Sequence, residues 1–178
     1  AIAGQLARAL PLRHVRIEDD RPIALRGALG QSNGAIAHCG TGSFFALQQD
    51  GAMRLAGGWG SVLGDEASAQ WIGRLALALA LQAVDGLRPH SPLFAALQEH
   101  CGDSAGIVAF AAAASPADFG RLAPLVSQQA AAGDPQARDL MQQAADHICA
   151  TLQQMGWQPD QALSLTGGIG PVYKAYLP

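Results

Sequence analysis

Two glycine-rich turns lie close together in the first third of the chain and carry residue types that bind anions and polar rings. The first is Gly40-Thr41-Gly42-Ser43, and the second covers residues 57–66. Glycines let backbone N–H groups approach an anion closely, because no Cβ blocks the way. The second turn adds an indole ring at Trp59 and carboxylates at Asp65 and Glu66, which suit a polar, ring-shaped ligand. The two turns predict a phosphate site beside a sugar-type site, as phosphoryl transfer requires.

Each of these residues also has a structural interpretation that the sequence leaves open. Glycines serve equally well at the tight start of a hairpin, Asp65 can cap a following helix, and Trp59 can fill the core. Asp20 is equally ambiguous. A carboxylate at the end of a strand can accept a proton from an attacking hydroxyl, but Asp19 or Asp20 can also cap the helix that Pro22 opens.

The elements that would position these residues alternate between strand and helix before a long helical block. Periodicity and turn residues predict a helix over 1–10, a strand over 14–17 that ends near Asp20, and a helix that has Pro22 in its first turn and continues to residue 29. They then predict a strand over 35–39, hairpin strands over 44–48 and 53–56, a helix over about 66–84, helices throughout 91–154 and a strand over 161–166. Ser91, Ser115 and Asp134 are predicted helix caps. This order predicts an α/β fold.

Composition excludes several classes of protein. The 178 residues are 49% hydrophobic and 14% charged, which predicts one globular domain with a substantial core. A net charge of −3 without a basic run argues against a nucleic-acid partner. The longest Ala/Leu-rich stretch, 75–84, is too short to span a membrane. Cys39, Cys101 and Cys149 are far apart and predict reduced thiols in a cytoplasmic protein, and no metal ligands are predicted.

One ordered set of motifs extends through the chain. It comprises Asp20, Gly27-Ala28-Leu29-Gly30, Gly40-Thr41-Gly42-Ser43, Gly57-Gly58-Trp59-Gly60, Gly64-Asp65-Glu66 and Gly167-Gly168. The set resembles the BadF/BadG/BcrA/BcrD-type ATPase family, which includes N-acetylglucosamine kinase and bacterial glucosamine kinase within the actin/Hsp70/hexokinase superfamily. The resemblance implies two RNase H-like lobes that close over ATP and Mg²⁺, with the sugar in the cleft between them.

The resemblance assigns a region or a role to each part of this sequence. Residues 1–178 would be the C-terminal lobe, with a strand-rich part over 12–64, a large helical insertion over 65–156 and an adenosine-motif strand and turn over 161–178. Asp20 matches the catalytic base, Gly40, Thr41, Gly42 and Ser43 match the second phosphate loop, Gly58, Trp59, Asp65 and Ala69 match the sugar site, and Gly167 and Gly168 match the adenosine motif. The implied substrate is glucosamine or N-acetylglucosamine, and a homodimer is one candidate assembly.

The sequence departs from the family pattern in two places. Ala67 stands where the family has a glycine, at the predicted start of a helix. The family's first phosphate loop, an Asp-Gly-Gly-Gly-Thr-type turn that holds Mg²⁺ and the transferring phosphate, is absent from this sequence. We therefore expect a C-terminal lobe that is truncated at both ends, lacks its N-terminal lobe and is inactive alone.

Three other functions stay open at this stage. The first is an ATPase activator of a radical reductase or dehydratase, although the separated cysteines do not resemble the ligands of its iron–sulfur cluster. The second is a sugar sensor that binds without turnover. The third is a structural helical domain, which the ordered motif set makes improbable.

Overall fold

A four-stranded mixed sheet forms the centre of the structure, a computed structural model that describes residues 2–10 and 19–178. The strands are β1 (Gly34–Cys39), β2 (Ser43–Gln49), β3 (Ala52–Gly57) and β4 (Ala162–Thr166). The helices are α1 (Ile2–Ala9), α2 (Asp20–Leu29), α3 (Ala69–Val84), α4 (Pro92–Cys101), α5 (Ser104–Ala113), α6 (Pro116–Gly120), α7 (Ala123–Ala132) and α8 (Pro135–Gln154), and a 3-10 helix covers Gly170–Ala175. The strand predicted over 14–17 lies outside the described residues.

The strand order is β3-β2-β1-β4, so the first and the last strand along the chain, β1 and β4, are neighbours in the sheet. β2 pairs antiparallel with both β1 and β3, and the hairpin turns at Asp50 and Gly51 with φ of 50° and 80°, as the sequence predicts for this tight turn. β4 pairs parallel with β1, so that His38 lies opposite Thr166. A parallel pair needs a long crossover, and the helical block supplies it.

Alternate residues of β1 face two different layers, as the period of two in a strand requires. Ala35, Ala37 and Cys39 belong to the large core that the sheet shares with the helical block. Ile36 packs on the opposite face with Leu25 of α2. The sheet is therefore covered by helices on both faces, and the loops at the carboxyl end of β1 remain open for a ligand.

Three helix starts predicted from local residues in the helical block are confirmed. Ser91, Ser115 and Asp134 each cap a helix, and each side chain accepts a hydrogen bond from the backbone N–H three residues later. α8 has 20 residues and is the longest described helix, as predicted. No helix among the described residues is both long enough and apolar enough to cross a membrane.

Two helix starts differ from the prediction. α2 begins at Asp20, so that Pro22 lies in its first turn as predicted but is not its first residue, and of the two predicted caps it is Asp19 that accepts from the Arg21 N–H. α3 begins at Ala69, later than residue 66, and Ser68 caps it.

The late start of α3 has a backbone cause. Asp65 and Ala67 have φ of 64° and 63°, in the left-handed region that cannot continue a right-handed helix. The sequence analysis placed Ala67 at the start of a helix, and this prediction is wrong, because Ala67 lies in a turn before α3. Its left-handed conformation explains why the family has a glycine at this position.

Candidate functional site

One cleft, of about 360 Å³, opens where β1 ends and β2 begins, and it collects residues predicted for sugar and phosphoryl chemistry. Its lining includes five of the predicted residues: Asp20, Gly42, Ser43, Gly58 and Asp65. Asp19, Arg21, His38 and Phe44 complete the lining. We call it the acid cleft, because three aspartates border it.

A second cleft, of about 590 Å³, lies on the other side of the first glycine turn. It brings together Gly40, Thr41, Gly167 and Gly168, which the resemblance matches to nucleotide contacts. The ends of α6 and α7 and the 3-10 helix form its opposite wall, through Gly120, Ala123, Pro124, Ser127, Ile169 and Val172. We call it the glycine cleft. Ala69, matched to the sugar site, lies in this cleft and donates its N–H to the Gly40 carbonyl at 2.8 Å.

Asp65 joins the two glycine turns. It is 8% exposed, and its Oδ1 accepts a hydrogen bond from the Ser43 N–H at 3.2 Å. A Cβ placed on Gly42 would lie 2.9 Å from Asp65 Oδ2, so this approach requires glycine. The capping interpretation of Asp65 is therefore wrong, because Ser68 caps α3 and the Asp65 carboxylate faces the first turn.

The first turn uses some of its polar groups internally and leaves others available. Gly40 donates its N–H to the Gly42 carbonyl at 2.9 Å, and the Ser43 hydroxyl donates to the Glu66 carbonyl at 2.6 Å. Ser43 therefore stabilises the turn rather than presenting its hydroxyl to a ligand. Within the described part of the chain, the N–H groups of Thr41 and Gly42 have no hydrogen-bond partner. Two adjacent free donors in a glycine turn can hold an anion.

The start of α2 separates two neighbouring aspartates into different roles. The Asp19 carboxylate caps the helix and forms an ion pair with Arg21, with Nε and Nη2 donating at 2.8 and 2.5 Å. These hydrogen bonds from Arg21 lower the pKa of Asp19 to about 2. Asp20 is the first residue of the helix, is exposed, and borders the acid cleft. The sequence analysis left open which of these two carboxylates caps the helix.

Arg21 also holds the two sides of the acid cleft together. Its Nη1 donates to the Gly57 carbonyl at 3.0 Å, at the end of β3 and directly before Gly58. The planar guanidinium makes these contacts through three separate nitrogens, a fork that the single nitrogen of an ammonium group does not reproduce. The sequence analysis did not select Arg21, although a cation beside two carboxylates at a helix start is a signal that could have found it.

Tyr173 connects the glycine cleft to the loop that carries Asp65. Its hydroxyl donates to the Ala67 carbonyl at 2.7 Å, and the side chain is fully buried. Burial raises the pKa of Tyr173, so the hydroxyl stays protonated and continues to donate. Tyr173 therefore connects the 3-10 helix that follows Gly167-Gly168 to the loop that carries Asp65 and Ala67.

The tryptophans and cysteines have simpler surroundings. Trp59 is 76% exposed and lies outside the lining of both clefts, so its interpretation as a core residue is wrong. Trp71 packs against the core as predicted, and Trp157 is buried. Burial raises the pKa of Cys39 to about 12, which keeps its thiol protonated. In residues 2–10 and 19–178, no group of three or more His, Cys, Asp or Glu side chains could hold a metal ion.

Comparison with known proteins supports the interpretation of the ordered motifs. The model of the BadF/BadG/BcrA/BcrD ATPase family matches residues 3–176. The chain belongs to this family. Among family relatives, the chain is 32% identical over 165 residues to the glucosamine kinase GspK of Vibrio cholerae. This alignment covers 92% of this chain and 56% of that protein. It is 30% identical over 165 residues to the N-acetyl-D-glucosamine kinase of Dictyostelium discoideum, with coverage of 85% and 52%.

A solved structure shows the same fold. The crystal structure of a Chromobacterium violaceum protein, provisionally named an N-acetylglucosamine kinase, superposes with a TM-score of 0.85 at 38% identity. The match covers 99% of this chain and 62% of that one. The chain spans about half the length of the two curated relatives named above.

Proposed function

We propose that the complete protein containing this chain transfers the γ-phosphoryl group of ATP to a hydroxyl of an amino sugar, glucosamine or N-acetylglucosamine. The observation that carries this proposal is the adjacency of the two clefts. The acid cleft contains Asp20 and Asp65, the glycine cleft contains Thr41 with its free N–H, and the first glycine turn separates them. The names of the relatives support an amino sugar as the acceptor.

The acid cleft suits the sugar. Asp65 is held by the Ser43 N–H at one oxygen, which leaves the other to accept a hydrogen bond from a sugar hydroxyl. The charge of Arg21 is engaged with Asp19. The cleft therefore presents net negative charge, which favours a neutral or amine-bearing sugar over one that carries a carboxylate. Gly58 lies in this cleft, and we propose that Trp59 covers the apolar face of the bound sugar.

The glycine cleft suits the nucleotide. The free N–H of Thr41 in this cleft, and that of Gly42 where the turn borders the acid cleft, would donate to phosphate oxygens, and Gly40 and Ser43 stabilise that turn. Gly167 and Gly168 would allow the adenosine to approach the backbone closely. The wall formed by α6 and α7 would contact the base.

Asp20 would act as the general base. Its carboxylate would accept the proton of the attacking sugar hydroxyl, whose oxygen forms a bond to the γ-phosphorus. The bond between that phosphorus and the bridging oxygen breaks, and its electron pair leaves with ADP. Asp19 is the poorer candidate, because a carboxyl with a pKa of about 2 is a weak base at neutral pH.

The remaining parts of the site would come from outside this chain. We propose that the chain is an RNase H-like C-terminal lobe with a helical insertion, and that an N-terminal lobe carries the first phosphate loop. The coverage of only about half of each curated relative supports this division. The described residues do not fit a Mg²⁺ site by themselves, so the ion's ligands would lie on the other lobe and on the nucleotide.

Sugar-dependent release of ADP from the complete protein tests the proposed function. We expect turnover with glucosamine or N-acetylglucosamine and weaker turnover with glucose. N-acetylmuramic acid is the matched control, because it adds a carboxylate that the acid cleft should repel. Release of ADP that is independent of every sugar would contradict the proposal and favour an ATPase activator. Sugar binding without ADP release would indicate a sensor.

Replacing Arg21 tests whether the acid cleft depends on the contact between α2 and β3. We expect Arg21→Ala to raise KM for the sugar by about tenfold, the effect of one charge-assisted hydrogen bond, with a smaller change in kcat. Arg21→Lys should recover only part of the loss, because an ammonium cannot reproduce the fork. Arg26→Ala is the control, since Arg26 lies on the same helix and its guanidinium donates to the Gly30 carbonyl at the end of that helix. Equal sugar KM values in the Arg21 and Arg26 variants would show that the contact is not needed.

A further inference from the structure

His38 occupies the boundary between the two clefts. It lies near the end of β1, and within the described ranges it is the one residue that lines both the acid cleft and the glycine cleft. A phosphoryl group that moves from a nucleotide in one cleft to a sugar in the other must pass this boundary. The imidazole is therefore the side chain best placed to contact the group during transfer.

Two neighbours hold the His38 ring. Its Nδ1 lies 3.0 Å from the Thr166 hydroxyl, across the parallel pairing of β1 and β4. Its face stacks on Phe44, with ring centroids 5.0 Å apart and an angle of 18° between the planes. Both neighbours border the site, because Thr166 precedes Gly167 and Phe44 lines the acid cleft. The ring orientation is thus fixed by the structure.

The other ring nitrogen faces the first glycine turn. A Cβ placed on Gly40 would lie 3.2 Å from His38 Nε2, so the turn allows the imidazole to approach because this position is glycine. Nε2 therefore lies beside Gly40, in the same turn as the free N–H groups of Thr41 and Gly42.

The bond to Thr166 can determine which nitrogen carries the proton. A phosphate oxygen only accepts hydrogen bonds, so a neutral His38 can bind it only with the proton on Nε2. In that tautomer Nδ1 is an acceptor, and the Thr166 hydroxyl is the donor that it needs. Thr166 is thus suited to hold the tautomer that donates towards phosphate.

We propose that His38 donates its Nε2–H to an oxygen of the phosphoryl group in transfer, and that Thr166 is the positioning residue that fixes its tautomer. The inference rests on the proposed function. His38 forms no covalent bond and keeps its proton. It adds a directed hydrogen bond where negative charge is redistributed between the attacking and leaving oxygens.

Substitutions in the complete protein separate this role from a structural one. Glutamine places an N–H donor near the position of Nε2, and asparagine places its amide near the position of Nδ1. We expect His38→Ala and His38→Asn to lower kcat by about 10²-fold, the usual effect of removing one transition-state donor, whereas His38→Gln retains most of it. A purely structural role predicts the reverse order, because asparagine would keep the contact with Thr166. Thr166→Ser should retain activity, and Thr166→Val should lose part of it.

Nitrogen-15 NMR of the histidine rings gives a readout that does not depend on turnover. The free protein should already show His38 in the Nε2–H tautomer, and a non-hydrolysable ATP analogue should shift the Nε2 signal through the new hydrogen bond to phosphate, with the signals assigned by their loss in His38→Gln. AMP, which lacks the γ-phosphate, should not cause the change. An identical response to both nucleotides, or none to either, would overturn the inference even if no sugar is phosphorylated. Sugar turnover with an unchanged kcat in His38→Ala would overturn it while leaving the proposed function intact.

Discussion

Replacing Asp20 by asparagine is expected to lower kcat for sugar phosphorylation by about 10²–10⁴-fold, the range that general-base catalysis supplies. Asparagine has nearly the same shape but cannot accept the proton of the sugar hydroxyl. The fold should be unaffected, because Asp20 is exposed and Asp19 provides the helix cap. ADP release at saturating sugar, together with a thermal unfolding curve, would measure both effects.

Asp19→Asn is the matched control, since it makes the same replacement of a carboxylate oxygen by an amide NH2 at the neighbouring residue. Asparagine is a good helix cap, so α2 should remain folded. The ion pair with Arg21 would be lost, and we expect an effect on sugar KM rather than on kcat. Loss of kcat in Asp19→Asn with retention in Asp20→Asn would assign the base to Asp19. Retention of kcat within tenfold in both variants would exclude either aspartate as the base.

The sequence predicted elements whose causes are local. The hairpin turn at Asp50 and Gly51 needs two left-handed residues in succession, and this dipeptide supplies them. Ser91, Ser115 and Asp134 cap helices through bonds that reach only three residues along the chain. Such features can be read without knowing what packs against them.

The sequence could not predict features that arise from distant contacts. Alanine normally favours helix, so nothing local indicates that Ala67 is left-handed and that α3 begins at Ala69. Asp65 and Tyr173 help to hold this turn, through bonds to Ser43 and to the Ala67 carbonyl. These contacts join segments that are 22 and 106 residues apart.

The same limit applies to the two residues that the sequence analysis did not select for the site. His38 has the pattern of an ordinary strand residue until β4 brings Thr166 opposite it. Arg21 has the pattern of an exposed helix residue until the end of β3 places the Gly57 carbonyl beside it. Both contacts join segments that are distant in the sequence, and motif order alone does not specify them.

The turn at Gly167-Gly168 offers a pair of adjacent substitutions with opposite expected effects. Gly167 has a φ of +83°, and a Cβ placed there would lie 2.3 Å from the Cys39 carbonyl oxygen and 2.7 Å from the Gly40 nitrogen. Gly168 has nothing within 4 Å of its Cβ position. We expect Gly167→Ala to lower the free energy of unfolding by roughly 3 kcal/mol or more, through the left-handed backbone and the clash. Gly168→Ala should be neutral or stabilising by up to about 1 kcal/mol.

Gly167→Ala should also weaken nucleotide binding, because the turn at Gly167 is in contact with the first glycine turn. Relieving the clash requires Cys39 and Gly40 to move, and the Ile169 N–H would lose its 3.1 Å bond to the Cys39 carbonyl. Gly167→Asn separates the two causes, since asparagine tolerates a left-handed φ but still carries a Cβ. If the clash dominates, Asn will be as harmful as Ala in thermal unfolding of the complete protein and in titration with the ATP analogue. Recovery of both stability and binding in Gly167→Asn would show that backbone conformation alone requires the glycine. Equal stability of Gly167→Ala and Gly168→Ala would contradict the close approach of the turn at Gly167 to the first glycine turn. The position of the phosphate donors in the proposed site depends on that approach.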